Sequence, residues 1–514
     1  MNGKKRIAIN MVAQFISFFV SLAVNFYLTP YITANVGKEV YGFVNLAFQT
    51  TGYVTIFTSA LNAMVGRYIT IYLSRKDYDN ANVYFSSVIL ANTLISIVLA
   101  VPSTIAVLYL EYWLNVPVQH VADVKILWAF IFIDFFLALC TNCYSVATYA
   151  KNRLDLAARR NMENVVIRML MLLALFYFME PKVWYVGASK FVVGFWIIVT
   201  NVYYTRTLTP ELKFDRKKVR FSAVRELVKV GIWNSVQQLS AILINGCDML
   251  ITDIYIDAAS MTLMGFAKTV PNYLMSIIGI VSGSFGPQMT IIYAEGDMKK
   301  FVKYVQSSIK VCGFICSVPI LGFIVFGTSF FSLWIKALNT GEIMTVQILS
   351  VMILTQTVFD VYIYPLYTVN QVTAKLRLPV LVSIGIGFAN VVGSILLCVH
   401  TNLGVYAIQI VSSILLTARV FLFAPLYAAY ILKQKWYTFY IPLVRGMISS
   451  AIIIVIFTLV SMYVSIDSWL KLGLCGAICG AVGYAINYII VLNKEERVMA
   501  MKLIRSKLKI PGRG

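Results

Sequence analysis

Residues 7–28 read IAINMVAQFISFFVSLAVNFYL. No Asp, Glu, Lys or Arg interrupts the run, and about 20 apolar residues suffice for a helix to cross a hydrocarbon core. The run is too long for the apolar region of a signal peptide. Thr29-Pro30-Tyr31 follows it rather than a small-residue cleavage site, so it reads as a retained first span. Its polar residues are also ordered. Asn10, Gln14, Ser17, Ser21 and Asn25 return at helical spacing and share one face. A lipid-facing helix with a single polar stripe sets the class of the whole chain.

The rest of the sequence has the same character. Of its 514 residues 60% are hydrophobic and 13% charged, against roughly 25% charged in a soluble domain. Mean hydropathy is +0.79. A core cannot hide that much apolar surface, so the bilayer is the solvent. Further runs near 41–63, 83–110, 121–148, 163–180, 184–205, 229–252, 261–285, 304–327, 346–369, 379–399, 404–429, 444–464 and 468–492 bring the expectation to about fourteen spans.

Charge tests that count independently. With the amino terminus in the cytoplasm, segments 1–6, 64–82, 149–162, 206–230, 286–310, 370–378, 430–445 and 493–514 lie inside, and they hold 34 of the 43 Lys and Arg residues. Lys38, Lys125, Lys182, Lys190, Lys336 and Lys471 fall in or near outer connections; Arg168, Lys268 and Arg419 fall within spans. A 34-to-6 split is a strong positive-inside signal and places both termini in the cytoplasm. The net charge of +21 is therefore membrane-surface charge. No basic soluble domain exists to bind nucleic acid. In the tail, Lys502, Arg505, Lys507 and Lys509 alternate with Val498, Met501, Ile504 and Leu508, the pattern of a basic amphipathic helix on anionic lipid. Cys140-x-x-Cys143 sits inside an apolar run and reads as packing. His120 and His400 have no acidic or thiol partner at ligand spacing, so neither a metal nor a cofactor is expected.

The sequence also repeats itself. Asn10, Gln14 and Ser21 recur as Asn234, Gln238 and Asn245, each shifted by 224, and Ala150-Lys151-Asn152-Arg153-Leu154 recurs as Ala374-Lys375-Leu376-Arg377-Leu378 at the same shift. Gly66, Thr70-Ile71, Asp77, Tyr84 and Ser87 match Gly286, Thr290-Ile291, Asp297, Tyr304 and Ser307, shifted by 220. Six spans separate the copies, so both enter the membrane in one direction. The expected fold is all-α: two parallel six-helix bundles plus two C-terminal helices. Its divisions are a first lobe at 1–205, a linker at 206–228, a second lobe at 229–430, the last two spans at 431–492 and a basic tail at 493–514. Transporters place substrate at such repeat interfaces.

Polar stripes mark the candidate interface. Asn234, Gln238, Asn245 and Asp248 line the seventh helix as Asn10, Gln14 and Asn25 line the first. Asn45, Gln49, Gly52, Ser59 and Asn62 form a looser stripe on the second, and a shift of 223 maps Asn45, Gln49 and Ser59 to Lys268, Asn272 and Ser282 on the eighth. Their length and their occurrence in symmetric pairs favour a hydrated cleft over the other reading, helices knit by hydrogen bonds. Ionisable groups within spans cost roughly 2.5–3.5 kcal/mol each on insertion scales. They are Asp134, Arg168, Asp248, Lys268, Asp360 and Arg419. Asp248 and Lys268 could pair with each other. Arg168 is expected near the cytoplasmic face, and Arg67 at the end of the second helix, at the cytoplasmic mouth.

Several stretches resemble a known group. Val36-Gly37-Lys38-Glu39-Val40-Tyr41-Gly42-Phe43 opens the second helix and Gly66-Arg67-Tyr68 closes it. Asp248-Met249-Leu250-Ile251 is followed by Met264-Gly265-Phe266. With fourteen spans and a six-plus-six repeat, the chain resembles the multidrug/oligosaccharidyl-lipid/polysaccharide exporter superfamily, and within it the polysaccharide-biosynthesis flippases of Wzx type. Ala60-Leu61 stands where a glycine-leucine pair is common in that family.

The resemblance implies a MATE-like fold in a bacterial cell membrane. It also implies transport of an undecaprenyl-pyrophosphate-linked oligosaccharide to the outer leaflet by alternating access. The substrate site would draw on Asn10, Gln14, Asn25, Asn45, Gln49, Arg67, Asn234, Gln238, Asn245, Asp248, Lys268, Asn272 and Arg419. Its cations would complement pyrophosphate and its amides would face sugar hydroxyls. Membrane lipids are partners, as are glycosyltransferases and a polymerase of the same pathway. The rivals are a cation-coupled multidrug antiporter, which wants a cleft carboxylate that the first two helices lack, and a flippase for the peptidoglycan lipid precursor. An enzyme is not expected: no outer connection is long enough to carry a catalytic domain, and no G-x-x-x-x-G-K-[ST] run is present.

Overall fold

A computed structural model describes residues 3–151, 153–283, 285–373, 375–493 and 497. Among the described residues the chain is helical with no strand. The first six long helices are α1 (Gly3–Val36), α2 (Lys38–Ser74), α3 (Tyr78–Leu108), α4 (Val121–Thr141, extended by short turns to Ala150), α5 (Leu154–Phe178) and α6 (Trp184–Leu208). Next come α7 (Phe221–Ala241, prolonged by a π turn over Ile242–Gly246), a short helix Asp248–Tyr255, α8 (Ala258–Gly283) and a second short helix Gly286–Ala294. The remainder is α9 (Met298–Trp334), α10 (Thr340–Val372), α11 (Arg377–His400), α12 (Val405–Ile431, with a π turn over Arg419–Phe423), α13 (Tyr440–Tyr463) and α14 (Trp469–Ile490).

Twelve of these helices are long and apolar enough to cross a membrane. The outward faces agree: on α3, Leu94, Ile97, Val98, Val101, Ile105 and Leu108 form an exposed apolar stripe, with Val98 at 68%. In water such a stripe would aggregate; in a bilayer it is solvated. The two long helices outside the twelve are α2 and α8, of 37 and 26 residues. These are the repeat-equivalent second and eighth helices, and their polar stripes lower their hydropathy.

The repeat is visible in backbone geometry. Asp77 caps α3 and accepts from the Asn80 amide at 3.1 Å; Asp297 caps α9 and accepts from the Lys300 amide at 3.0 Å. The residue before each cap is left-handed, Lys76 at φ 60° and Gly296 at φ 79°. One turn, built twice 220 residues apart, starts the third and ninth helices.

Three boundaries correct the sequence expectation. α2 does not close at Arg67 but runs on to Ser74, because nothing between these residues breaks a helix; Arg67 is an exposed residue within it. α5 begins at Leu154 rather than near 163, because charged residues pair along its first turns, Arg159 with Glu163 at 2.8 Å. Arg168 is therefore past the middle of its helix, not near the basic-loop end. α1 continues through Pro30 to Val36 instead of stopping before it. The basic tail helix expected over Val498 to Lys509 lies outside the described residues.

Contacts divide the chain into two compact units, Met1–Gly265 with Ser383–His400, and Phe266–Val382 with Thr401–Gly514. Packing and repeat divide it differently, since α7 and most of α11 belong to the first unit. In that unit the segment after α6 is strapped to α3. Asn82 bonds the Glu211 carbonyl and Lys213 amide, Ser86 accepts from the Asp215 amide, and Ser87 accepts from the Arg220 amide. In the second unit, the Tyr362 ring lies against Gly313 and Gly446, where any Cβ would collide with it. Its hydroxyl reaches the Gly446 carbonyl at 3.0 Å and Ser450 at 3.1 Å. Asn487 of α14 joins Ser449 of α13 and Ser317 of α9, so buried amides and hydroxyls anchor the last two helices.

Candidate translocation site

Within the first unit, polarity concentrates where α2 runs along α7. Gly231 admits the Ala60 carbonyl into the space a Cβ would fill. One turn on, the Ser235 hydroxyl meets Ser59 Oγ at 2.8 Å, the Ala60 amide at 2.9 Å and the Ile56 carbonyl at 2.6 Å. Gln238 Nε2 donates to Thr55 Oγ1 at 3.4 Å. Then α7 widens into its π turn. A widened turn frees backbone carbonyls that hydrocarbon cannot solvate, and side chains must take them. Gln49 Nε2 donates to the Asn245 carbonyl at 3.1 Å, the Tyr53 hydroxyl donates to that of Gly246, and Asn390 Nδ2 of α11 donates to that of Ile244 at 3.1 Å. Beyond the turn, Asn45 packs against Gly265.

A second centre of the first unit is charged. Asp134 of α4, 7% exposed, pairs with Lys190 of α6, with Oδ2 and Nζ 3.2 Å apart. The carboxylate fits because Gly194 leaves room; a Cβ there would overlap Asp134. Arg168 of α5 lies over the Phe48 ring at 5.5 Å, and its buried Nε has no hydrogen-bond partner. Lys190 is thus an in-span cation, not part of an outer connection.

The second unit holds a related centre. Asp360 of α10, 7% exposed, accepts from the Tyr367 hydroxyl at 3.2 Å. Arg419, at the start of the π turn in α12, sits 5.8 Å from the Tyr367 ring centroid and donates through Nη2 to its hydroxyl at 3.4 Å. Tyr440 of α13 donates to the Phe421 carbonyl inside that turn. Both π turns therefore have a carbonyl held by a tyrosine hydroxyl.

The remaining expected residues are spread out. Asn10 is buried and accepts from the Asp155 amide at 3.0 Å, capping the start of α5. Gln14 is exposed, and Asn25 bonds back to the Ser21 carbonyl of its own helix at 2.8 Å. Asn62 forms a cluster with Asn92 and Asn142 that ties three segments together. Asn234 and Lys268 are half-buried, Asn245 and Asn272 exposed, and Asp248 is buried at the start of its short helix. Sequence reasoning missed Tyr53, Asn390, Lys190 as an in-span group, and Tyr367. A lysine six residues into an apolar helix was a readable signal; the tyrosines are too common here, 31 in all, to stand out.

Helices long and apolar enough to cross a membrane, with polar centres inside them, mark a multi-pass membrane protein. Residues 4–290 match the family described as "Polysaccharide biosynthesis protein", and the chain belongs to that family. It is 26% identical over 500 residues to the "Uncharacterized membrane protein EpsK" of Bacillus subtilis (strain 168), covering 97% of this chain and 98% of that one. Its fold is similar to an inward closed structure of the lipid II flippase MurJ, with TM-score 0.67, 13% identity, and 94% and 99% of the two chains covered. It is also similar to an inward-facing multidrug resistance MATE family transporter, with TM-score 0.63, 13% identity, and 83% and 97% covered. The chain shares the fold of these two structures.

Proposed function

We propose that the chain moves an undecaprenyl-pyrophosphate-linked oligosaccharide from the cytoplasmic to the outer leaflet of a bacterial cell membrane, for surface polysaccharide synthesis. The observation that carries this reading is the Arg419–Tyr367–Asp360 centre, a guanidinium held at an aromatic hydroxyl inside the span. A pyrophosphate is anionic, and guanidinium is the side chain best matched to it. The side-chain amides of Gln49, Gln238, Asn245 and Asn272, with Asn10, Gln14, Asn25, Asn45 and Asn234, suit sugar hydroxyls, while Arg67 and Lys268 add positive charge. Asp248 serves as a polar partner in the same set.

The transport cycle is alternating access between two six-helix lobes, 1–205 and 229–430, with both termini cytoplasmic. The lipid tail stays in the bilayer, and glycosyltransferases and a polymerase of the pathway are the functional partners. A multidrug antiporter for cationic drugs fits less well, because Asp134 is matched to Lys190 and Asp360 lies beside Arg419. A peptidoglycan-precursor flippase rests on likeness of fold alone.

The test is leaflet position of labelled intermediates. Cells lacking the protein are expected to hold lipid-linked glycan on the cytoplasmic leaflet. Arrival at the outer face at the normal rate, with no second flippase present, refutes the reading.

A further inference from the structure

The connection from α6 to α7, residues 209–220, is pinned to the protein along its length. Asn82, Ser86 and Ser87 of α3 hold its backbone at Glu211, Lys213, Asp215 and Arg220, and Leu212 is buried. Each end of this strap is the end of a helix long enough to cross a membrane, Trp184–Leu208 before it and the helix from Phe221 after it. A short segment held between two such ends lies at the depth of the lipid head groups.

Its charges are unequally engaged. Residues 209–229 carry seven Lys and Arg against three Asp and Glu. Two of the acids bond within the protein: Asp215 accepts from the Lys217 amide at 2.9 Å, and Glu226 accepts from the Tyr84 hydroxyl. Lys218 is taken by Asp79 at 2.7 Å. Lys213, Arg216, Lys217, Arg220 and Arg225 are exposed, and among the described residues none of their side chains has an ion pair or a hydrogen bond.

Apolar side chains flank these cations. Phe214 is 46% exposed and Phe221 80%. Phe221, Arg225, Val228 and Ile232 follow one another on α7 at intervals of four, three and four, so they share one face, and all four are exposed. Val228 and Ile232, on the exposed face of a spanning helix, meet lipid. Arg225 and Phe221 continue that face to the surface. An acidic protein or a dissolved anion would use the cations and leave the phenylalanines in water; a lipid uses both.

We propose that Arg216, Lys217, Arg220 and Arg225 form a site for the phosphodiester head group of an anionic phospholipid, with Phe214 and Phe221 set among its acyl chains. Guanidinium forks match phosphate oxygens, and basic groups at head-group depth attract anionic lipid. The site is preformed, because α3 fixes the strap backbone through hydrogen bonds that no lipid supplies. With both termini in the cytoplasm, the lipid belongs to the inner leaflet. The chemistry of the site depends neither on that orientation nor on the transported substrate.

The experiment titrates the purified full chain in detergent with phosphatidylglycerol, and separately with phosphatidylcholine of the same acyl chains, counting bound lipid by native mass spectrometry. Wild-type protein is expected to prefer phosphatidylglycerol by at least about tenfold, and each cation removed from the strap to weaken its binding about fivefold. Arg216→Gln, Lys217→Gln and Arg220→Gln together are therefore expected to abolish the preference. Lys299→Gln, Lys433→Gln and Lys435→Gln together remove the same charge from other exposed lysines and are expected to preserve it. No preference in wild type overturns the proposal, and so does an equal loss in the two triple variants, which would mean bulk charge alone. Displacement of phosphatidylglycerol by millimolar inorganic phosphate, with affinity unchanged in Phe221→Ser, would mean a site for dissolved anions and also overturns it. None of these outcomes bears on the flippase reading, and failure of that reading leaves this site standing.

Discussion

Asp134 and Lys190 meet at 3.2 Å between the fourth and sixth helices, and Asp360 and Arg419 face each other between the tenth and twelfth. The fourth and tenth helices are repeat partners, as are the sixth and twelfth. Each copy of the repeat therefore sets one acid of its fourth helix against one cation of its sixth. In the first unit the pair is in direct contact, and in the second Tyr367 bonds both groups.

For Asp134 and Lys190, removing one partner is the damaging change. Lys190→Met leaves a buried carboxylate uncompensated and is expected to cost about 3 kcal/mol, the low end for such pairs because the lysine is partly exposed. Asp134→Asn combined with Lys190→Met is expected to recover most of it. Thermal unfolding of the single and double variants in detergent measures the coupling, and additive losses would contradict the pairing.

Arg419→Gln and Lys268→Gln are each expected to reduce export of surface polysaccharide at least tenfold while leaving membrane insertion unchanged. Arg419→Lys is expected to fail as well, because an ammonium lacks the planar fork that can lie over Tyr367 and reach a phosphate together. Quantifying surface glycan against membrane abundance of the protein decides it; normal export in both glutamine variants removes these residues from the site.

The seam of α2 with α7 depends on Gly231. Gly231→Ala drives a methyl group into the Ala60 carbonyl and is expected to destabilise by about 1–3 kcal/mol. Gly52→Ala, where a Cβ meets nothing within 4 Å, is expected to be neutral or slightly stabilising. Equal melting temperatures for the two variants would show that the helices do not approach as described.

Asp253 gives a pH prediction. It lies in the last turn of the short helix after α7, beyond that span, where its Oδ2 accepts from the Asn115 amide at 3.0 Å. Burial, with Asp257 nearby, pushes its carboxyl up to about 6. The folded state therefore holds this proton more tightly than the unfolded chain. That contribution is fully present below about pH 4 and is lost as pH rises through about 6. Asp253→Asn, which keeps an acceptor for Asn115, is expected to be more stable than wild type by about 2 kcal/mol at pH 7.5. The advantage should vanish at pH 4. A difference independent of pH would mean that the carboxylate is not the cause.

The sequence by itself determined the class, the repeat and the polar helices. These follow from quantities summed along the chain: apolar length, the side on which lysine and arginine fall, and residues matching at a constant offset. The caps Asp77 and Asp297 belong here too, because a cap is decided by its own turn. Gln49 was likewise legible in the polar stripe of the second helix, and Gln238 and Asn245 in that of the seventh.

Only the tertiary structure decided what those residues touch. A stripe of amides looks the same whether it lines water or knits two helices, and here Gln49 holds a carbonyl that exists only because α7 widens into a π turn. No local preference announces that turn, since it is stabilised by Tyr53 and Asn390 from helices distant in sequence. The partners of Asp134 and Asp360 were hidden for the same reason. Lys190 and Arg419 come within reach 56 and 59 residues later only once the helices pack, and in-span charges are neutralised by whatever packing brings near.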